Sequence, residues 1–216
     1  ASLEAEDARI RSAYARRTDD DGRYSWFNDA HMLAVQELER HTLALLRRHG
    51  YRSLEDARVL EVGCGRGFWL REFIKWGARP EHVTGLELLP DRAKEAERLC
   101  PAGVTIACGN AAAATLPKAS FDIVLQSMLL TSVLDADVRR AVAQTMLDAL
   151  RPQGLILWYD YHVNNPRNPD VRGVSRREIR ALFPGCTMEL RRVTLAAPLA
   201  RAVLPTSRAL YRLLCL

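Results

Sequence analysis

A glycine-rich turn lies between two carboxylates in this chain of 216 residues. Glu61 stands two positions before the run Gly63–Gly67, which reads G-C-G-R-G, and Glu87 stands 24 positions after Gly63. Glycines let a ligand approach the backbone, and the free N–H groups at a helix start favour an anionic group. Glu61 would repel a pyrophosphate on this turn but would attract an ammonium group. Glu87 can accept hydrogen bonds from both hydroxyls of a ribose.

An amine, a carboxylate and a ribose without a phosphate together describe S-adenosylmethionine. The run Glu61–Gly67 resembles the E/D-x-G-x-G-x-G signature of the class I S-adenosylmethionine-dependent methyltransferases of the small-molecule type, and the resemblance covers residues 55–160. It implies S-adenosylmethionine as cofactor. It also implies an α/β fold with a doubly wound, mostly parallel sheet of the Rossmann-like methyltransferase kind and an N-terminal helical lid. The glycines taken alone would also fit a purely structural turn.

The resemblance further implies which residues contact the cofactor. The family often carries Asp at the position of Asn110, where it accepts a hydrogen bond from the adenine amine, and the amide oxygen of Asn110 can still accept one. The predicted cofactor residues are Glu61, Gly63, Cys64, Gly65, Gly67, Glu87, Leu88, Asn110, Ala111 and Gln126.

From residue 58 onward, apolar runs typical of buried strands alternate with helical patterns, which predicts a parallel sheet. Strands are predicted at 58–62, 82–87, 103–107, 121–125, 155–159 and 187–195. Helices are predicted at 3–17, 29–49, 67–77, 91–100 and 135–150, with a short helix from its cap Ser175 to about Phe183 and a broken amphipathic helix around Pro205. The predicted organisation is an N-terminal helical cap (1–50), an S-adenosylmethionine-binding α/β domain (51–195) and a C-terminal helical segment of the same domain (196–216).

Three aromatic residues, Tyr24, Trp26 and Phe27, precede the second predicted helix. In the family that the chain resembles, an N-terminal helical segment often folds over the cofactor, so these rings are candidates to wall the active site. Aromatic residues before a helix also serve as packing anchors. The sequence leaves both interpretations open.

Composition indicates an ordinary globular chain, with 48% hydrophobic and 26% charged residues. An apolar run of about 18 residues, which a membrane-spanning helix needs, does not occur, and residues 1–17 are too charged for a secretory signal. The five cysteines form no C-x-x-C pair, and no His stands near a Cys at ligand spacing. We therefore expect a reduced, cytoplasmic protein without a metal site.

Positive charge is concentrated at the C-terminal end. The net charge of the chain is +5, while residues 151–216 alone hold 11 Arg and four acidic residues, a balance of +7. This asymmetry predicts an anionic or lipid-linked small-molecule acceptor, or peripheral contact with a membrane surface. The same asymmetry is equally consistent with a chain that simply uses Arg in preference to Lys. Nucleic acid is disfavoured as a partner because the region lacks the aromatic and basic interleaving of an RNA-binding module.

The residues after the fourth predicted strand bear on the methyl acceptor. Enzymes that methylate exocyclic amines of bases resemble one another by an Asn/Asp-Pro-Pro-aromatic turn there, whereas this chain has Gln126-Ser127-Met128-Leu129. Cytosine C5 chemistry needs a Pro-Cys nucleophile, and only Cys100-Pro101 occurs. Methylation of an oxygen on a small molecule is therefore the leading hypothesis.

A hydroxyl acceptor must lose a proton during transfer. His162, just past the fifth strand, is the predicted base because an ordinary histidine pKa of about 6.5 suits proton removal at neutral pH. His31 and Tyr161 are the next candidates, and alignment of the reactants without any base is a further alternative.

Three other functions compete with this hypothesis. An RNA methyltransferase would use the basic C-terminal third, and a non-catalytic module would bind the cofactor without transferring its methyl group. An NAD-dependent oxidoreductase is disfavoured by Glu61 and by G-x-G-x-G in place of G-x-G-x-x-G.

Overall fold

Helices and strands alternate along most of the chain in the computed structural model, which describes residues 2–17, 22, 24–166, 168–195, 197–204, 207, 211 and 214. The strands are β1 (Val59–Val62), β2 (Val83–Glu87), β3 (Thr105–Cys108), β4 (Phe121–Ser127) and β5 (Leu150–Tyr159). The helices are α1 (Leu3–Ala15), α2 (Asp29–Arg48), α3 (Phe68–Lys75), α4 (Pro90–Leu99), α5 (Ala136–Ala149), α6 (Arg176–Leu182) and α7 (Ala197–Val203). Short 3-10 turns occur at Pro80–His82 and Leu130–Ser132.

The five strands form one parallel sheet in the order β3-β2-β1-β4-β5. In the central strand β1, Val59 pairs with Val83 of β2 on one side and with Ile123 of β4 on the other. Every residue of β1 is buried, which explains why apolar residues stand on both sides of Glu61. The strand order reverses at β1, so the carboxyl ends of β1 and β4 border the crevice in which open α/β sheets bind ligands. The predicted doubly wound α/β fold is confirmed.

Helix α1 is attached to the sheet by a buried acid. The Glu6 carboxylate accepts two hydrogen bonds from Arg9 at 2.9 and 2.8 Å and one from the Leu134 N–H at 2.6 Å, just before α5. Burial of Glu6 opposes its ionisation, but these donors outweigh burial and hold its pKa below the ordinary value. At the C-terminal end of α1, Arg16 pairs with Asp170 at 3.0 Å.

The chain divides into two compact units. The first consists of Ala1–Arg16 and Ser53–Met188, and the second of Arg17–Arg52 and Glu189–Leu216. In the second unit, α2 begins at the cap Asn28, and a buried cluster around Ala200 packs against it. That cluster contains Ala200, Leu204 and Tyr211, with Ala30, Leu33, Leu195 and Val203 packed against them.

This division differs from the predicted organisation in three places. Helix α7, which was predicted to belong to the α/β domain, lies in the second unit with α2. The first helix belongs to the α/β unit, because Glu6 and Arg9 bind backbone groups next to α5. Residues 189–195 belong to the second unit, where Glu189 pairs with Arg48 at 2.8 Å.

The predicted sixth strand at 187–195 is wrong. Within the described part of the chain, this segment is not hydrogen-bonded to any strand, and the sheet ends at β5. Thr194 has a φ of +66°, which interrupts an extended conformation. Within this segment, Arg191 pairs with Glu189 at 2.7 Å. The predicted C-terminal helix is represented by α7, while Pro205 lies outside the described residues.

Among the described helices, none combines the length and apolar character that crossing a bilayer requires.

Removal of a buried arginine gives a test of how α5 and α6 are joined. The Arg139 side chain is 0% exposed; it donates to the Val133 carbonyl and pairs with Glu178 of α6. We expect Arg139→Ala to lower the free energy of unfolding by about 3 kcal/mol, as for other broken buried pairs. The neighbouring Arg140 is 65% exposed, so Arg140→Ala should change it by less than about 0.5 kcal/mol. Urea unfolding measures both, and equal losses would contradict the proposed role of Arg139.

Candidate active site

The turn between β1 and α3 requires glycine for its backbone conformation. Gly63, Gly65 and Gly67 have φ angles of +76°, +56° and +71°, in the left-handed region. The Gly63 N–H donates to the Leu86 carbonyl of β2 at 2.7 Å, and the Gly67 N–H donates to the Cys64 carbonyl at 2.8 Å. The turn is therefore closed on itself and attached to the neighbouring strand.

The three glycines differ in what surrounds them. A Cβ on Gly67 would lie 2.7 Å from the sulfur of Cys100, and one on Gly63 would lie 2.9 Å from Cδ1 of Leu129, so a side chain at either position would force its neighbour to shift. A Cβ on Gly65 would meet no atom within 4 Å. Gly65 is therefore the point of the turn that leaves space for a ligand.

Glu87, at the end of β2, holds this turn in place. One carboxylate oxygen accepts a hydrogen bond from the Gly65 N–H at 2.7 Å, and the other accepts one from the Leu89 N–H at 2.9 Å. Each carboxylate oxygen can accept more than one bond, so capacity for ligand hydroxyls remains. Glu87 thus combines a structural role, which the sequence did not predict, with the predicted position beside the ligand space.

Glu61 is a buried acid whose partners are incomplete. Its side chain is 2% exposed, and its carboxylate is hydrogen-bonded by the Leu70 N–H in the first turn of α3. Oε2 has no hydrogen-bond partner within the described structure. Burial, and then the charge of Glu87, raise the pKa of Glu61 well above its ordinary value, against a smaller opposite effect of Arg71. A buried carboxylate oxygen without a partner is costly, and an ammonium group would satisfy it.

The residues after β3 form a turn of their own. Asn110 Oδ1 accepts a hydrogen bond from the Ala112 N–H at 2.8 Å, which leaves the oxygen one further lone pair for a ligand amine. Glu87 pairs with Cys108 across β2 and β3, so Leu88 and the segment Asn110–Ala111 follow neighbouring strand ends.

Two predicted cofactor residues have side chains that pack against or hydrogen-bond other parts of the protein. The Cys64 side chain is buried against Gly85, where a Cβ would lie 2.7 Å from its sulfur, so only its backbone belongs to the turn. Gln126 is 0% exposed. Its amide nitrogen donates to Asp160 Oδ2 at 2.9 Å, and its oxygen accepts from the Leu129 N–H at 3.1 Å. The structure therefore gives Gln126 a role in holding the end of β4.

Asp160 is a site residue that sequence reasoning missed. It follows β5 directly and accepts hydrogen bonds from Gln126 and from Thr131. Burial raises the pKa of Asp160 to about 6, although these donors favour its ionised form. An acid directly after a strand of the parallel sheet was visible in the sequence, but its partners lie about 30 positions earlier in the chain.

The three candidate bases are distributed over both units of the chain. His162 is exposed on the loop after β5 and makes no hydrogen bond to any residue that the structure describes. Tyr161 is also exposed. His31 belongs to the second unit, where its ring packs against Tyr24 and Trp26 at centroid distances of 5.8 and 5.6 Å, and burial lowers its pKa.

The aromatic residues before α2 are exposed on the second unit, Phe27 completely so. Tyr24 and Trp26 also contact His31, as packing anchors do. The wall of the active site that they were predicted to form stays a prediction. Among the described residues no group of acidic, His or Cys side chains could hold a metal ion.

Comparison with known proteins identifies the class of this fold and turn. Residues 59–154 match the family described as Methyltransferase domain. No curated protein sequence matches the chain.

Three solved structures show the likeness. The S-adenosylmethionine-dependent methyltransferase of Mesorhizobium loti is 28% identical over 52% of this chain and 50% of that chain, with a TM-score of 0.44. The YcgJ protein of Bacillus subtilis is 23% identical over 66% of each chain, with a TM-score of 0.50. The complex between the Haloferax volcanii Trm112 methyltransferase activator and a methyltransferase gives 18% identity over 77% of this chain and 76% of that chain, with a TM-score of 0.55. The chain spans about half the length of the first structure, and the other two share the fold.

The sheet order, the glycine turn and the family match define a Rossmann-like methyltransferase domain. Residues 59–154 match the methyltransferase-domain family, in agreement with the resemblance of Glu61–Gly67 to the class I S-adenosylmethionine-dependent methyltransferase signature. S-adenosylmethionine is the cofactor of this class, and the incomplete partners of Glu61, the space at Gly65 and the position of Glu87 fit its ammonium group, its close approach to the backbone and its ribose.

The raised pKa of Glu61 predicts that cofactor binding releases a proton. Below that raised pKa, Glu61 is neutral in the free protein, and an ammonium group placed beside it would lower the pKa and ionise it. Affinity for S-adenosylhomocysteine should therefore rise with pH, by at most about tenfold per pH unit for one proton. Titration calorimetry in two buffers of different ionisation enthalpy counts the released protons.

Two controls separate Glu61 from other titrating groups. The Glu61→Gln side chain stays neutral at all pH values, so this variant should bind S-adenosylhomocysteine without releasing the proton. The ligand 5′-methylthioadenosine lacks the ammonium group, so the unmodified protein should bind it without releasing the proton. Binding of S-adenosylhomocysteine without proton release in the unmodified protein would show that Glu61 is already ionised.

Proposed function

We propose that this chain transfers the methyl group of S-adenosylmethionine to an oxygen atom of a small molecule. The observation that carries the proposal is the pair of buried acids around the open space at Gly65, one of which, Glu61, has an oxygen without a partner in the described structure. The choice of an oxygen acceptor over an exocyclic amine is supported by Gln126 at the end of β4. Gln126 uses both ends of its amide inside the protein, so it does not offer them to the exocyclic amine of a base.

The work of the protein in such a reaction is mostly alignment. The cofactor supplies a positively charged sulfur that is an excellent leaving group. Glu61 and Glu87 bind and orient the cofactor, and the turn at Gly65 lets it approach the backbone closely. The acceptor oxygen then has to be held in line with the methyl group, and its proton has to be removed.

Cofactor selectivity tests the first half of the proposal. Because Glu61 attracts an ammonium group and repels a pyrophosphate, we expect binding of S-adenosylmethionine and S-adenosylhomocysteine but not of NAD. Titration calorimetry with the three ligands measures this directly. Binding of NAD alone would contradict the proposal and favour an oxidoreductase.

Transfer of an isotope-labelled methyl group tests the second half. The balance of +7 in residues 151–216 supports an anionic or lipid-linked acceptor, so a metabolite library should be rich in hydroxylated acids and lipid-linked sugars. Labelling of an anionic acceptor should weaken as salt is raised, and sedimentation with anionic vesicles tests peripheral membrane contact. Labelling of RNA instead of metabolites would favour the RNA methyltransferase, and cofactor binding without any labelling would favour the non-catalytic module.

We propose His162 as the base that removes the acceptor proton, since it is exposed next to the end of β5. His162→Ala should then lower kcat by roughly 100-fold and leave the affinity for S-adenosylhomocysteine unchanged. His82, whose ring bonds the Glu55 carbonyl before β1, offers a matched control, and His82→Ala should keep full turnover. Full activity of the His162 variant would leave alignment alone as the source of catalysis.

A further inference from the structure

Asp160 is bound from two sides at the carboxyl edge of the sheet. Oδ1 accepts hydrogen bonds from the Thr131 hydroxyl at 2.7 Å and from the Thr131 N–H at 3.2 Å, and Oδ2 accepts one from Gln126 at 2.9 Å. The charge of Arg139 also acts on this carboxyl group. Burial still raises the pKa of Asp160, which means that an ionised carboxylate at this position is unfavourable in free energy.

These bonds converge on a single turn, Met128–Ser132, which follows β4. Gln126 accepts hydrogen bonds from the Leu129 and Leu130 N–H groups, and the Met128 N–H donates to the Tyr159 carbonyl at 2.8 Å. Met128 itself has a φ of +62°, which is strained for a residue with a side chain and persists only where surrounding contacts enforce it. Asp160 and Gln126 provide those contacts.

The Met128–Ser132 turn touches two elements of the proposed site. The side chain of Leu129 occupies the space beside Gly63, because a Cβ there would lie 2.9 Å from Leu129 Cδ1. The Ser132 carbonyl accepts a hydrogen bond from Arg9 of α1, and the Ser132 hydroxyl lies 3.4 Å from that of Tyr14. Movement of this turn would therefore shift the glycine turn and α1 together.

We propose that Asp160 is a positioning residue for cofactor binding, which holds Thr131 and thereby seats Leu129 against Gly63 and anchors α1. The inference rests on the proposed function, because it concerns the site for S-adenosylmethionine. Asp160 acts through Thr131 and Leu129, and the Met128–Ser132 turn transmits its effect to the glycine turn.

Four variants test this role. Asp160→Asn loses the bond from Gln126, because the Asn NH2 group would replace Oδ2 and face the NH2 group of Gln126, so that two donors meet. Thr131→Val loses the hydroxyl, Thr131→Ser keeps it, and Asp148→Asn changes an acid on α5 that bonds Gln144. We expect Asp160→Asn to weaken affinity for S-adenosylhomocysteine by roughly tenfold and Thr131→Val by several-fold. Thr131→Ser and Asp148→Asn should bind like the unmodified protein.

Two measurements distinguish positioning from general stabilisation. Titration calorimetry gives the affinity, and amide hydrogen exchange of residues 128–132 gives the local stability of the turn, which should fall in Asp160→Asn and Thr131→Val only. If both variants unfold more easily but bind S-adenosylhomocysteine as tightly as the unmodified protein, the proposal is overturned. The Thr131 pair keeps the test valid if Asp160→Asn does not fold. Failure of the unmodified protein to bind the ligand would instead overturn the proposed function.

Discussion

Burial of two acids at the carboxyl ends of β1 and β2 is the constraint on which the rest of this structure depends. Both carboxylate oxygens of Glu87 have hydrogen-bond donors inside the protein, namely the N–H groups of Gly65 and Leu89. The carboxylate of Glu61 receives one hydrogen bond, from Leu70, and its other oxygen is left without a partner in the described structure. A site with one satisfied and one unsatisfied acid is prepared for a ligand that brings positive charge.

The way in which the acids are held also explains the shape of the turn between them. Gly65 donates its N–H to Glu87 from a left-handed conformation, and a Cβ at this position would meet open space. At Gly67 and Gly63 the surroundings favour glycine for another reason, since Cys100 and Leu129 fill the places that side chains there would take. One turn thus combines an open position at Gly65 with two close packing contacts.

The close approach of Leu129 to Gly63 connects the glycine turn to the segment after β4. Leu129 reaches Gly63 from the segment after β4, and that segment is held by Gln126 and Asp160 and bound by Arg9 of α1. The ends of β1, β4 and β5 and the N-terminal helix are therefore mechanically connected. A strand order that reverses at β1 makes this possible, because it places the ends of β1 and β4 side by side.

The sequence by itself determined the class of fold, the cofactor turn and most element positions, because these depend on local chemistry. Apolar residues on both sides of Glu61 make β1, the caps Asn28 and Ser175 begin α2 and α6, and glycines permit the turn. Tertiary structure alone decided the rest. The predicted strand at 187–195 needs a neighbour to pair with, and none is provided in the described structure. Likewise Gln126 and Asp160 are ordinary polar residues in the sequence, and only the adjacency of β4 and β5, whose ends lie more than 30 positions apart, joins them into one hydrogen-bonded network.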